Sequence, residues 1–104
     1  MIVRLIISPE AENDLLDAYR WYENKRMGLG SGFMKSIEAS LNALQRYPKA
    51  YPVIYKNIQR VLIRRFPYGI FYIFDNETVY IIAVFHIKQE PKRLFKSIDV
   101  RTAL

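Results

Sequence analysis

Residues 70–86 of this 104-residue chain are IFYIFDNETVYIIAVFH, and they decide the fold. Two runs of β-branched and aromatic residues flank Asp75-Asn76-Glu77-Thr78, whose residues suit the unusual backbone angles of a tight hairpin turn. A third such run precedes them, across the short turn Phe66-Pro67-Tyr68-Gly69. Connections this short require antiparallel neighbours, so we predict a three-stranded meander. The predicted strands are Arg60–Phe66, Ile70–Phe74 and Val79–His86.

The chain before this meander begins with a strand and a helix. Residues 1–7 are mostly apolar and branched, which suits a strand. Ser8 and Pro9 then supply an N-cap hydroxyl and the residue best tolerated at the first helical position. Apolar residues recur at spacings of three and four up to about Lys25, so we predict a helix over this stretch.

Segment 27–32 contains three glycines and predicts a flexible turn between two helices. A second apolar stripe begins at Phe33 and lasts until Pro48 forbids continuation. The two helices are expected to form an antiparallel hairpin. The order β-α-α-β-β-β is an α+β fold, in which the helical hairpin packs on one face of a small, mainly antiparallel sheet.

Both faces of the predicted sheet are apolar. On the last strand two apolar sets alternate: Val79, Ile81, Ala83 and Phe85 against Tyr80, Ile82 and Val84. One helical hairpin covers one face only, so the other face requires a second cover. We expect a partner protein to supply it. The alternatives are a second copy of the chain and residues 92–104 folding back as a short helix.

Composition restricts the classes of function. The chain has no cysteine and one histidine, which excludes disulfide frameworks and cysteine-ligated metal sites, and we expect no metal or other cofactor. Its longest apolar stretch, Val79 to Phe85, is far shorter than the roughly 20 residues that span a bilayer. We therefore expect a single cytoplasmic domain over residues 1–104 without membrane contact.

The net charge of +6 is concentrated in the second part of the chain. Residues 1–38 hold 5 basic and 6 acidic side chains, whereas residues 39–104 hold 11 basic and 4 acidic ones and end in a basic tail over 88–104. Such clustering favours a polyanionic partner, either nucleic acid or an acidic protein segment. A solvated basic face is the alternative.

His86 and the strand arginines are the candidate chemical groups. His86 ends the last predicted strand, where it suits either acid-base chemistry near neutral pH or a structural hydrogen bond to the neighbouring backbone. Arg60 and Arg64 are predicted to share one strand face, where they would grip phosphates or form a cationic edge that discourages aggregation. Without metal or thiol, hydrolysis would have to be RNA cleavage by the substrate's own 2′-hydroxyl.

Short motifs follow one another along the chain: Ser8-Pro9-Glu10-Ala11 with Asp14-Leu15, Phe33 and Leu44 before Pro48, Phe66-Pro67-Tyr68 with Tyr72, and Val84-Phe85-His86-Ile87-Lys88 with Pro91. In this order the chain resembles the RelE/ParE toxin superfamily over about residues 3–93. The resemblance implies a growth-arresting toxin of a type II toxin-antitoxin system, the kind found in plasmid stabilization. It also implies a cognate antitoxin that holds the toxin inactive, in a complex that could be a heterotetramer.

The superfamily has two modes of action. ParE-like members inhibit DNA gyrase without known nuclease chemistry, whereas RelE-like members cut mRNA in the ribosome. Leu62 and Gly69 stand where the RNA-cutting branch carries basic residues, and no tyrosine follows Tyr80. The His-x-basic ending at His86 and the Phe-Pro-Tyr turn resemble ParE-like chains. Gyrase inhibition is therefore the expected function, and RelE-like cleavage of mRNA on the ribosome is the alternative.

Two sets of candidate site residues follow from this comparison of branches. The residues expected to contact the antitoxin or the target are Arg60, Arg64, Arg65, Tyr72, Lys88, Lys92, Arg93 and Phe95. The residues expected to be catalytic, for the endoribonuclease alternative alone, are Arg60, Arg64, His86 and Lys88. A harmless toxin fold that serves as an antitoxin decoy is a third hypothesis.

Overall fold

The computed structural model describes residues 3–103. Its elements in chain order are β1 (Arg4–Ile7), α1 (Pro9–Lys25), α2 (Leu29–Arg46), β2 (Val53–Tyr55), β3 (Ile58–Leu62), β4 (Tyr68–Asp75), β5 (Thr78–His86) and α3 (Pro91–Thr102). They form one sheet of order β1-β5-β4-β3-β2, in which β1 is parallel to β5 and the other neighbours are antiparallel. The predicted α+β class, helical hairpin and antiparallel meander are confirmed. No helix within the described range is long and apolar enough to cross a membrane.

Local sequence signals act as predicted at two places. The Ser8 hydroxyl accepts a hydrogen bond from the Ala11 N–H at 3.1 Å and caps α1. At the tip of the β4-β5 hairpin, Asn76 and Glu77 adopt φ values of 50° and 58°, as in a two-residue turn of the primed type. These two signals fix where α1 begins and how β4 and β5 pair.

The start of α2 differs from the prediction. Gly30 and Gly32 lie inside the helix rather than in a flexible turn, which corrects that expectation. The Glu23 carboxylate accepts hydrogen bonds from the N–H groups of Gly28 and Gly30, each at 3.0 Å, and so satisfies two of the donors at the helix start. A β-carbon at Gly30 would lie 2.8 Å from the Tyr19 carbonyl oxygen. Glycine is needed there because α1 and α2 approach closely.

The C-terminal segment covers the second face of the sheet. Leu94 and Ile98 lie one helical turn apart on α3 and are buried against Ile58 and Phe71. The expectation that a partner protein closes this face is therefore wrong. The helical fold-back that we considered as an alternative is what the described residues form, because α3 itself presents an apolar stripe.

A β-bulge in β5 changes which side chains face which core. The pairing of β4 with β5 skips Ile82. Beyond this residue, Val84 packs beneath the helical hairpin, whereas Ala83 and Phe85 lie on the α3 side. The strict alternation predicted for this strand is therefore wrong after Ile82, since one inserted residue shifts the side-chain period.

Candidate functional site

A groove between α1 and β5, which we call the aromatic groove, has a volume of about 630 Å³. Its lining includes Asp14, Asp17, Trp21, Tyr22, Tyr68 and His86. Trp21 is 54% exposed, and its ring meets that of Tyr22 edge-on with the centroids 5.0 Å apart. The groove therefore presents accessible aromatic surface beside two carboxylates.

The titratable aromatic residues of this groove are held by their neighbours. The His86 ring stands edge-on to Tyr68, with centroids 5.3 Å apart, and its Nδ1 accepts a hydrogen bond from the Lys88 N–H at 3.1 Å. In neutral His86 the proton therefore resides on Nε2. Burial raises the pKa of Tyr68, and burial together with the neighbouring Tyr68 raises the pKa of Tyr22. Both phenols stay protonated near neutral pH.

Asp14 fixes the floor of the aromatic groove. Its carboxylate accepts hydrogen bonds from the Arg101 guanidinium at 2.6 and 2.9 Å and from the Val84 N–H at 3.0 Å. Arg101 also donates to the Ile82 carbonyl at 3.1 Å. The side chains of this ion pair are only 14% and 19% exposed for Asp14 and Arg101. Together they satisfy the main-chain groups that the bulge leaves at the edge of β5.

A second groove lies between α2 and β3, and we call it the basic groove. Its volume is about 510 Å³, and its lining includes Lys35, Ser36, Ser40, Tyr51, Arg64 and Arg65. None of its described lining residues is acidic. This groove is therefore a cationic surface on the opposite flank of the helical hairpin, since α1 packs on β5 and α2 on β3.

A buried hydrogen-bond network supports the wall of the basic groove. The Gln59 side-chain amide donates to the carbonyls of Pro48 and Tyr51, each at 2.9 Å, and the Tyr72 hydroxyl donates to the Pro48 carbonyl at 2.8 Å. Tyr72 is 0% exposed, and burial, with a smaller contribution from nearby Tyr51, raises its pKa to about 12. Tyr72 was expected among the contact residues, but in this structure its side chain belongs to the core.

The four candidate catalytic residues lie in different places. β3 ends at Leu62, so Arg64 lies beyond the strand in the basic groove, while Arg60 faces the α3 side of the sheet with its guanidinium over an aromatic ring. The prediction that Arg60 and Arg64 share one strand face is wrong, because the chain turns after Leu62. His86 lies in the aromatic groove, and Lys88 lies in the exposed turn after β5.

The remaining candidate contact residues lie on or near α3 and the β3-β4 turn. Lys92 and Arg93 are exposed on α3, and Arg65 is exposed in the turn. Phe95 is half-buried and stacks on Tyr55 with ring centroids 4.2 Å apart. The exposed cations are free to meet a partner, whereas Phe95 also holds α3 against the β2-β3 hairpin.

Several residues that build the two grooves were not predicted from sequence. Asp14 and Arg101 are 87 positions apart, and Gln59 meets its carbonyl partners only after β3 has paired. Trp21 was the one residue with a visible signal, as a large aromatic outside the apolar stripe of α1. Within residues 3–103, no group of three or more His, Asp or Glu side chains is arranged to hold a metal ion.

Comparison with known proteins places this fold. A chain of a solved structure described as "Chromosomal ParDE TA system from P. aeruginosa" matches with a TM-score of 0.75 at 14% identity, covering 84% of this chain and 98% of that chain. The protein thus shares the α+β fold of that chain. A family model described as "ParE toxin of type II toxin-antitoxin system, parDE" matches residues 5–91, so the chain belongs to the ParE toxin family. Among curated proteins, none matches it by sequence.

Proposed function

We propose that this protein arrests growth by inhibiting DNA gyrase in the cytoplasm, and that a cognate antitoxin neutralises it. The observation that carries the proposal is the ParE family match over residues 5–91, which extends from β1 to the first residue of α3. Nearly the whole fold, including both grooves, therefore falls within the family match.

The distribution of basic residues supports inhibition by binding rather than RNA cleavage. Acid-base groups must lie within hydrogen-bond reach of one substrate to act together. Arg64 and His86 instead line grooves on opposite flanks of the helical hairpin, and Arg60 faces α3. The Nδ1 atom of His86 is already engaged by the Lys88 backbone.

The basic groove is the proposed contact surface for an acidic segment of the antitoxin. Lys35, Arg64 and Arg65 are exposed cations around one concave surface without described acidic residues. Complementary charge accelerates association and selects the partner, and it makes binding sensitive to salt. The exposed residues Lys88, Lys92 and Arg93 form a separate cationic surface, on α3 and in the turn before it, that is also proposed to contact the antitoxin or the target.

A supercoiling assay tests the target. Purified toxin is expected to inhibit DNA supercoiling by gyrase, and added antitoxin is expected to restore it. His86→Ala should retain growth arrest, because no histidine chemistry is involved. Uninhibited supercoiling together with mRNA cut in the ribosomal A site would replace this proposal with the endoribonuclease alternative. Absence of growth arrest on induction would instead indicate a harmless decoy.

A charge-reversal experiment tests the antitoxin surface. The double variant Arg64→Glu/Arg65→Glu is expected to weaken antitoxin binding by at least about tenfold and to reduce its salt dependence. Arg20→Glu/Arg26→Glu, at two exposed positions on α1 and directly after it, makes the same change in net charge; it is the matched control and should bind as the parent does. Equal affinity of both variants for the antitoxin would exclude the basic groove as its binding surface.

Light scattering on the complex of toxin and antitoxin tests whether it is the proposed heterotetramer.

A further inference from the structure

The edge of β5 that faces away from β4 is only partly covered by other elements. β1 pairs with it from Thr78 to Ile81, and the Asp14–Arg101 ion pair satisfies the groups around the bulge. Beyond the bulge, residues 84–86 line the aromatic groove; β4 pairs with them on one side, and no strand of the described chain lies on their other side. This end of β5 is therefore an open sheet edge that forms one wall of a groove.

Two main-chain groups on this edge, the Val84 carbonyl and the His86 N–H, point away from β4, as the hydrogen bonds of their neighbours show. The Val84 N–H donates outward to Asp14 at 3.0 Å, whereas the Ile87 N–H donates inward to the Pro67 carbonyl at 2.8 Å. Successive residues of a strand direct their main-chain groups to opposite sides. The Val84 carbonyl and the His86 N–H consequently face outward, as one acceptor and one donor for an added strand.

The lining of the groove favours a long cationic side chain. Asp14 is paired with Arg101, but Asp17 has no ion pair within the described residues. Apart from His86, no described lining residue is basic, although the chain carries a net charge of +6. The chain's own Lys25 already places its Nζ over the Trp21 ring, 4.7 Å from the centroid, but Trp21 remains 54% exposed. An incoming arginine or lysine can pack its aliphatic part on this remaining surface and place its charge at the free carboxylate.

We propose that the aromatic groove docks an extended segment of a protein partner, which adds to the open edge of β5 and inserts an arginine or lysine side chain beside Asp17. In strand addition, main-chain hydrogen bonds supply affinity and the inserted side chain supplies specificity. A volume of about 630 Å³ accommodates such a side chain. The site is separate from the basic groove, which suits acidic segments, and it does not depend on gyrase being the target.

Trp21 allows a direct test, because it is the only tryptophan of the chain and lies in the groove. The probe is the end-blocked peptide Thr-Val-Arg-Val-Thr, which should change the Trp21 fluorescence saturably. Two comparison peptides carry glutamate in place of arginine, or N-methyl groups on alternate peptide bonds that remove hydrogen-bond donors. Each is expected to bind at least about tenfold more weakly.

Variants of the full chain distinguish recognition of charge from nonspecific peptide binding. Asp17→Asn should abolish most of the preference for the arginine peptide over the glutamate peptide. Glu12→Gln, an exposed change on the same helix but outside the groove, should preserve it. Amide shifts in NMR spectra provide a second readout, in which the His86 N–H is expected to move on binding.

Four results would overturn the proposal. The first is equal binding of the three peptides, and the second is an undiminished preference in Asp17→Asn. The third is a Trp21 signal that changes with the concentration of the chain alone, together with a dimer in sedimentation, which would assign the groove to a second copy. If neither the Trp21 fluorescence nor the His86 amide responds to the arginine peptide, the site does not exist.

Discussion

The aromatic and basic grooves flank one helical hairpin, yet their chemistry is opposite. The aromatic groove is lined by carboxylates and aromatic rings, whereas the basic groove is lined by cationic side chains and small residues. This division follows the charge distribution along the chain, since α1 lies in the acidic first part and β3 in the basic second part. Each groove also depends on its own polar network, Asp14–Arg101 in one case and Gln59–Tyr72 in the other. Two adjacent helices can thus present different surfaces because each packs on a different strand.

Removal of the Asp14 carboxylate should break the aromatic groove selectively. Asp14→Ala leaves the largely buried Arg101 guanidinium and the Val84 N–H without their partner, and we expect a loss of about 2–4 kcal/mol in the free energy of unfolding. Urea denaturation measures the loss, and Trp21 fluorescence reports the groove. Asp99→Ala, which removes the exposed ion pair with Lys56, is the control and should cost much less. Equal losses of unfolding free energy in Asp14→Ala and Asp99→Ala would contradict the role of Asp14 in supporting the aromatic groove.

A substitution at Gly30 should disturb both grooves at once, because it changes the spacing of the hairpin that separates them. The β-carbon of Gly30→Ala would lie 2.8 Å from the Tyr19 carbonyl oxygen, so we expect a loss of about 1–3 kcal/mol in unfolding free energy. At Gly32 the nearest atom, on the Phe66 ring, is 3.9 Å away. Gly32→Ala should therefore stabilise the helix by about 0.5–1 kcal/mol, and thermal denaturation of the two variants should diverge. A stabilised Gly30→Ala would refute the close contact.

The wall of the basic groove can be weakened without touching the aromatic groove. Tyr72→Phe removes the hydroxyl bonded to the Pro48 carbonyl and to Gln59, at an expected cost of about 1–2 kcal/mol in the free energy of unfolding. Chemical denaturation checks the cost, and Trp21 fluorescence of the folded variant should match the parent. Tyr80→Phe, at a 40% exposed position, is the matched control and should be nearly neutral. A shifted Trp21 spectrum in Tyr72→Phe would show that the two grooves are coupled.

The fold was predictable where local periodicity and turn chemistry determine it. The Ser8 cap, the turn at Asn76 and the last two meander strands followed from such signals, whereas the first meander strand is Ile58–Leu62 rather than the predicted Arg60–Phe66. β2 was missed because three residues after a proline are too few to show a period. Gly30 was misplaced because its role is set by contact with α1, which a local turn signal does not contain.

The site was less predictable, because its residues meet only through tertiary structure. The basic character of Arg64 and Arg65 was visible in the sequence, but their groove requires α2 to lie alongside. Asp14 looked like an ordinary acidic residue at a helix start, and nothing local pairs it with Arg101. The bulge at Ile82, which creates the need for this pair, has no glycine or proline to announce it.

The smallest expected effect concerns the pair that lies outside both grooves. The Lys56 ammonium and the Tyr55 hydroxyl each donate a hydrogen bond to the Asp99 carboxylate at 2.8 Å. These bonds lower the pKa of Asp99 below its ordinary 3.8, and the bond from Lys56 has the larger effect. A carboxyl group with a lowered folded-state pKa stabilises the fold above its ordinary pKa, and this contribution disappears as the pH falls through the folded-state pKa. The difference in unfolding free energy between the parent and Asp99→Asn should therefore be small at neutral pH. Salt should reduce this difference, and acidification should remove it. The Trp21 fluorescence should stay unchanged under all of these conditions. A difference that does not vary with pH would show that Asp99 acts through packing of α3 rather than through its charge.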